Sequence, residues 1–223
     1  MPQATASDTS GGARGPRGWV DVSVPIRSGM VTFPGNPEVA LEQVQSLERG
    51  DEATLSRLAL GLHTGTHVDA PSHFIAQGAT VDALPIEALV GPARVIEIRD
   101  PRTVTAEELA LYDFARGERV LFKTANSPRC WQSPTFVRDY VALSPSGARL
   151  LAAFGVRTVG IDYLSIAAVD QGREVHRILL SAGLCLIEGL DLTAAAPGAC
   201  DLFCFPLRIA GAEGAPARVW LRY

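Results

Sequence analysis

Three of the chain's four histidines fall within one stretch, His63-Thr64-Gly65-Thr66-His67-Val68-Asp69-Ala70-Pro71-Ser72-His73-Phe74. Gly65, the β-branched Thr66 and Val68, and Pro71 disfavour a helix there. An extended backbone alternates its side chains with period two. His63, Gly65, His67 and Asp69 are then expected on one face, where two imidazoles and a carboxylate converge beside a glycine that leaves room for an ion. Pro71 favours a turned or extended backbone at Ala70, so His73 approaches from the side. Imidazole and carboxylate together suit a borderline divalent metal such as zinc or manganese. The same residues on an exposed strand would need no partner. The apolar flanks Leu58, Leu60, Leu62 and Phe74 instead carry the segment inward, where buried histidines and carboxylates require one.

Two further chemical groups lie far along the chain. Glu188 closes the apolar run Leu184-Cys185-Leu186-Ile187, and a carboxylate ending a buried strand needs a partner. Strand ends are also where α/β folds place their sites. His176 sits among Arg173, Glu174 and Arg177 and is, on composition alone, as readily a solvated surface histidine as a ligand. Phe33-Pro34-Gly35-Asn36-Pro37 is a dense turn signal, either a plain surface turn or an aromatic lip on a pocket. Residues 125–143 hold Asn126, Trp131 and Phe136 with little periodicity, and a loop of that length inside a compact domain is often functional. Phe33, Asn126 and Trp131 are the candidate substrate contacts, with a turn role equally open to Asn126. Asp162, at the end of another buried strand, either supports a metal-bound histidine or caps the next turn.

The elements that must position these groups read as follows. Trp19–Pro25 is a first strand, and residues 38–62 alternate loosely up to His63. A short helical segment falls near 85–90, followed by a strand over 94–98. Thr105-Ala106-Glu107-Glu108 is a capping box that opens a helix to about Ala115. Residues 119–124 are apolar on consecutive positions, as in a strand buried on both faces. Ser144 caps a helix with Pro145 in its first turn and Gly155 at its end, and a buried strand follows over 156–162. Residues 170–177 read as a polar stretch, 178–182 as helical or irregular. Residues 200–209 and 217–221 form a hairpin across Gly211-Ala212-Glu213-Gly214. The mixture of hairpins and helix–strand units predicts an α/β, sheet-rich single domain with peripheral helices.

Totals set the outer limits. The 223 residues suit one domain over 19–223 behind a Ser/Gly/Pro-containing flexible tail at 1–18. Residues 1–18 lack the apolar core of a signal peptide, and no apolar run of roughly 18 residues predicts a membrane span. A net charge of −4 offers no basic footprint for nucleic acid. None of the four cysteines forms a Cys-x-x-Cys pair. They read as thiols of a reducing, cytoplasmic setting. No Gly-x-Ser-x-Gly or phosphate-cradling glycine loop is present.

The stretch HTGTHVDAPSHF resembles the signature of the cyclase family of metal-dependent hydrolases, which includes bacterial kynurenine formamidase and isatin hydrolase. The likeness extends to Asp21-Val22-Ser23-Val24-Pro25 with Phe33-Pro34-Gly35, to Gly160-Ile161-Asp162-Tyr163-Leu164-Ser165, to His176, and to Glu188-Gly189-Leu190. It implies a fold of the swivelling β/β/α type, assembled as a homodimer or homotetramer. It implies that His63, His67 and Asp69 hold one divalent metal, zinc or manganese. With two ions, Asp69 would bridge to a second held by His176 and Glu188, and His73 would be the catalytic histidine. The implied reaction is hydrolysis of an aryl formamide such as N-formylkynurenine, a step of tryptophan catabolism. The alternatives are opening of a cyclic amide or lactone, as in isatin hydrolase, and a metal-binding module without catalysis. Kynurenine formamidases commonly carry a tryptophan in the early aromatic-Pro-Gly-Asp segment, where this chain has Phe33 and Asn36.

Overall fold

The computed structural model describes residues 18–223; the expected tail falls almost wholly outside the described residues. β1 (Trp19–Asp21) opens the chain, followed by the hairpin β2 (Ala40–Gln45) and β3 (Leu55–Ala59) and by the short β4 (His67–Asp69). Helix α1 (Ile86–Leu89) runs into β5 (Val90–Glu97). After it come β6 (Thr103–Val104), α2 (Ala106–Leu109), β7 (Arg119–Lys123), α3 (Asn126–Cys130) and β8 (Ala142–Leu143). The last third holds α4 (Pro145–Phe154), β9 (Thr158–Ile161), α5 (Gly172–Ser181), β10 (Cys185–Glu188), β11 (Gly198–Pro206) and β12 (Gly214–Arg222).

The main sheet runs β1-β12-β11-β5-β7-β9-β10-β4, and β4 pairs back onto β12, closing all but β1 into a barrel. β5, β7, β9 and β10 are parallel, joined by crossovers, while β4, β11 and β12 are antiparallel to their neighbours. The run Val120-Leu121-Phe122 shows why this sheet reads as continuously apolar. Val120 and Phe122 pack under α2, α4 and α5, whereas Leu121 points into the barrel with Val68, Ile187, Leu202 and Val219. Both faces are covered, so both must be apolar. This is the sheet-rich α/β domain expected.

Local signals set the ends of α4. The Ser144 hydroxyl accepts from the Gly147 N–H, Pro145 fills the first turn, and Gly155 ends the helix. Two other expectations are corrected. The helix opened by Thr105 stops at Leu109 rather than near Ala115, although the Thr105 hydroxyl does cap the Glu108 N–H. Leu109 is the residue this helix buries, and Leu111 just beyond its end is 71% exposed. Conversely, the polar stretch before residue 178 is helical. α5 starts at Gly172 and buries Val175, His176, Leu179 and Leu180 along one face, which is the helical period.

The hairpin of β2 and β3 projects from the body with every strand residue exposed. Leu58 is half exposed and does not lead the chain inward; burial starts at Thr64. Among the described residues all four cysteines are free and buried, and no helix is long and apolar enough to cross a membrane.

Two glycines let the histidine segment dock. Gly65 has φ +61, which breaks the expected extended run from His63, so strand geometry begins only at His67. A side chain on Gly65 would meet Val24 and Met30, so the glycine faces the amino-terminal loop and not an ion, correcting that expectation. Gly189, at φ +72, sits where a Cβ would overlap the carbonyl oxygen of Gly65. Gly189→Ala combines backbone strain with that overlap and should cost about 3 kcal/mol of unfolding free energy. A urea titration showing a loss well under 1 kcal/mol would contradict this close approach.

Candidate metal centre

His67 and Asp69 lie two residues apart on β4 and therefore share a face. Both are essentially fully buried. β4 is paired on both edges, by β10 with Glu188 opposite His67 and by β12 with Gly214 opposite Asp69. Glu188 is thus a cross-strand neighbour, and its Oε2 lies 3.4 Å from His67 Nε2. α5 packs over the same end of the sheet and lowers His176 onto the pair. Its Nε2 is 3.0 Å from Glu188 Oε1 and 3.5 Å from Asp69 Oδ2. His63, just ahead of Gly65, places Nδ1 2.7 Å from Asp69 Oδ1.

Two groups of potential ligands result, His63–His67–Asp69 and Asp69–His176–Glu188, each with donor atoms within 4.8 Å of one another. Asp69 belongs to both. His63 Nε2, His67 Nε2 and Asp69 Oδ2 are buried without a hydrogen-bond partner. Buried polar atoms left so are costly, and a cation among them removes that cost, so the donor set fits a divalent metal. Backbone carbonyls fix two of the imidazoles. His67 Nδ1 lies 2.9 Å from the Gly65 carbonyl and His176 Nδ1 2.6 Å from that of Gly172. A carbonyl only accepts, so each Nδ1 carries the proton and each Nε2 faces the carboxylates.

Electrostatics follow from this crowding. Burial opposes protonation of His67, but Asp69 and Glu188 outweigh it and raise its pKa to about 10. The same balance, with Glu188 first among the partners, raises His176 to about 9. Burial works to raise Asp69, yet His63 and His67 hold it well below the carboxylate range. Glu188 is lowered too: burial and the Asp69 charge oppose ionisation, and His176 and His67 prevail. His73 differs. Burial lowers its pKa, and the neighbouring His63 and His176 imidazoles add to that against the pull of Asp69 and Glu188. Its ring stacks on His63 with centroids 3.9 Å apart, and it is the last residue of the turn Pro71–His73. A neutral imidazole beside the ligand set can accept a proton.

A cavity of about 320 Å³ opens over the centre, lined by His63, His67, His73, His176 and Glu188 and walled by Phe33, Phe74, Leu164 and Val169. Phe33 thus sits where an aromatic lip would. Asn126 and Trp131 do not, which corrects both as substrate contacts. Asn126 is fully buried and spends its amide on both backbone groups of Val141. The Trp131 indole donates to the Leu190 carbonyl and lines a separate groove with Met30 and Val31. Asp162 supports no metal histidine; it accepts from the backbone and hydroxyls of Thr124 and Ser127 and so starts α3. Residues not singled out from sequence also meet here. Ser165 and Val169 line the cavity, and Glu213 Oε1 lies 3.6 Å from His63 Nε2. The hairpin turn that carries Glu213 was legible, but its pairing back onto β4 was not.

A barrel strand bearing His67 and Asp69, with a facing histidine–carboxylate pair and a neutral histidine beside them, defines a metal-dependent hydrolase. The Cyclase family model matches residues 20–168, two thirds of the chain, and the chain belongs to that family. It is 36% identical over 208 residues to the kynurenine formamidase of Salinibacter ruber, covering 91% of this chain and 96% of that protein. With cyclase-like protein 2 of Oryza sativa it shares 35% identity over 219 residues, covering 93% and 80%. A solved structure described as a potential metal-dependent hydrolase with cyclase activity superposes with a TM-score of 0.80 at 35% identity, covering 91% and 96%. Isatin hydrolase A from Labrenzia aggregata shares the fold, with a TM-score of 0.79 at 24% identity and coverage of 91% and 92%.

With the pKa values of His67 and His176 raised, an ion held by these rings would displace protons, because only the neutral rings ligate. Zinc added to chelator-stripped protein at about pH 7 should release protons, and its apparent affinity should fall as the pH drops. Calorimetry in buffers of different ionisation enthalpy reads this directly; buffer-independent heats would rule it out. His67→Ala should abolish stoichiometric zinc uptake.

Proposed function

We propose that the chain hydrolyses the carbon–nitrogen bond of an aryl formamide such as N-formylkynurenine, adding water to give formate and the free aryl amine. The observation that carries this reading is the placement of the neutral His73 against His63, at a cavity whose walls include the apolar Phe33, Phe74, Leu164 and Val169. Those walls suit an aromatic body, and a cavity of this size holds a one-ring substrate. The 36% identity to a kynurenine formamidase lends further support.

His63, His67 and Asp69 would hold one divalent ion, and Asp69, His176 and Glu188 a second; zinc and manganese both suit mixed imidazole and carboxylate donors. Such an ion, when bound, polarises the carbonyl and lowers the pKa of water. The chain's own residues do the rest. A ring nitrogen of His73 accepts the proton of the attacking water and returns it to the departing aryl nitrogen. Phe33 and Phe74 hold the ring and exclude solvent. Gly65 and Gly172 keep His67 and His176 oriented through their carbonyls. The reading includes assembly as a homodimer or homotetramer in a cytoplasmic setting. For assembly the support is the set of exposed apolar residues on the projecting hairpin, Leu41, Val44, Leu55 and Leu58.

A second reading, ring-opening of a cyclic amide or lactone, is favoured by Phe33 and Asn36, which stand where formamidases commonly carry tryptophan and aspartate. Assaying N-formylkynurenine and isatin side by side with zinc- and manganese-loaded protein separates the two; turnover of neither rejects both substrates. His73→Ala should retain its metal and lose turnover by about a hundredfold or more. An unchanged rate would return the chain to a metal-binding module.

A further inference from the structure

Among the residues lining the cavity, the metal set and His73 account for every charged or titratable side chain except Arg173. Arg173 lies on α5 three residues before His176. Residues so spaced are neighbours on one helix face, about 5 Å apart along the axis. The guanidinium therefore stands one turn outward from a ligand, at the cavity's edge, and is exposed. It has no structural task there. Among the described residues no carboxylate pairs with it, and the adjacent Glu174 is engaged by Arg149 at 2.6 Å. Nor is its charge balanced within the cavity, because Glu188 is already held by His67 and His176. The remaining walls are the apolar Phe33, Phe74, Leu164 and Val169, with Gly172 and the uncharged polar Asn36 and Ser165. The cavity thus has three zones: a metal end, an aryl slot and one cation at the rim.

We propose that Arg173 is a specificity-determining residue that binds an anionic group, a carboxylate, on the aryl part of the substrate. The inference rests on the aryl-amide reading above and narrows it to aryl amides carrying a carboxylate. Arg suits this role because its planar fork meets a carboxylate through two parallel N–H donors. At the rim, part of that gain goes to solvent competition, so the effect belongs mainly to binding and little to the chemical step.

The test compares formanilide with the three N-formylaminobenzoates, which differ from it by one carboxylate placed ortho, meta or para. With the zinc-loaded wild type, at least one isomer should exceed formanilide in kcat/KM by about tenfold, the size of one charge-assisted pair. In Arg173→Ala that advantage should vanish through KM, with kcat within about twofold and formanilide unaffected. Arg173→Lys should recover part of it. Binding of the matching aminobenzoate against aniline, by calorimetry on the same holoprotein, reads the contact without turnover. A Kd unchanged in Arg173→Ala overturns the inference whatever the rates, as does a loss shared equally by formanilide. If no formamide is cleaved yet the aminobenzoate binds tenfold or so more weakly to Arg173→Ala, the anion site stands and the formamide reading falls.

Discussion

Asp69 is the constraint on which the rest depends. It is buried beside a second buried carboxylate, Glu188, and like charges in a medium of low polarisability cannot both persist without positive charge between them. Imidazoles meet the pair from three directions: His67 from the same strand, His63 from the loop ahead, and His176 from a helix. Protons on His67 and His176, or divalent ions, are alternative solutions to one electrostatic demand. The fold holds the demand in place whichever solution is present.

Closure of the barrel makes that possible. A three-residue strand at a sheet edge would fray, but β4 is hydrogen-bonded on both sides and its register is locked by β10 and β12. A one-residue slip would turn His67 and Asp69 into the core and Val68 outward, so the packing of Val68 against Ile187 and Val219 is also what aims the ligands. The opposite wall of the cavity is built differently, from the Phe33 loop and the first turns of α5. Strands carry His67, Asp69 and Glu188, while a loop and the first turns of α5 add His63, His176 and the outer walls of the cavity. The same division recurs wherever a scaffold positions a reactive centre.

What was legible in the sequence follows this division. Local chemistry was readable: Ser144, Pro145 and Gly155 bracket α4 because caps act within one turn, and the shared face of His67 and Asp69 showed itself through their two-residue spacing. Period-two reasoning failed at Gly65, whose left-handed backbone serves an approach by Gly189 more than a hundred residues later, a contact no local window contains. The first half of α5 escaped notice for a related reason. Its inward face meets the buried carboxylates Asp69 and Glu188, so His176 stands where an apolar residue would normally mark the helical period. Asn126 and Trp131 misled as substrate contacts because burial and hydrogen bonding to Val141 and Leu190 are decided by tertiary neighbours, not by residue type.

The four cysteines carry one further consequence. Cys185 and Cys204 lie in the barrel interior, Cys200 nearer its margin, and Cys130 in the aromatic cluster around Tyr140 and Tyr163. Burial raises the pKa of Cys185 to about 12 and that of Cys200 to about 11. A thiol both enclosed and protonated does not react with alkylating reagents until the structure around it opens. The chain therefore contains its own clocks for local unfolding. Alkylation at Cys130 times the loosening of the aromatic layer, and alkylation at Cys185 and Cys204 times the parting of the barrel strands.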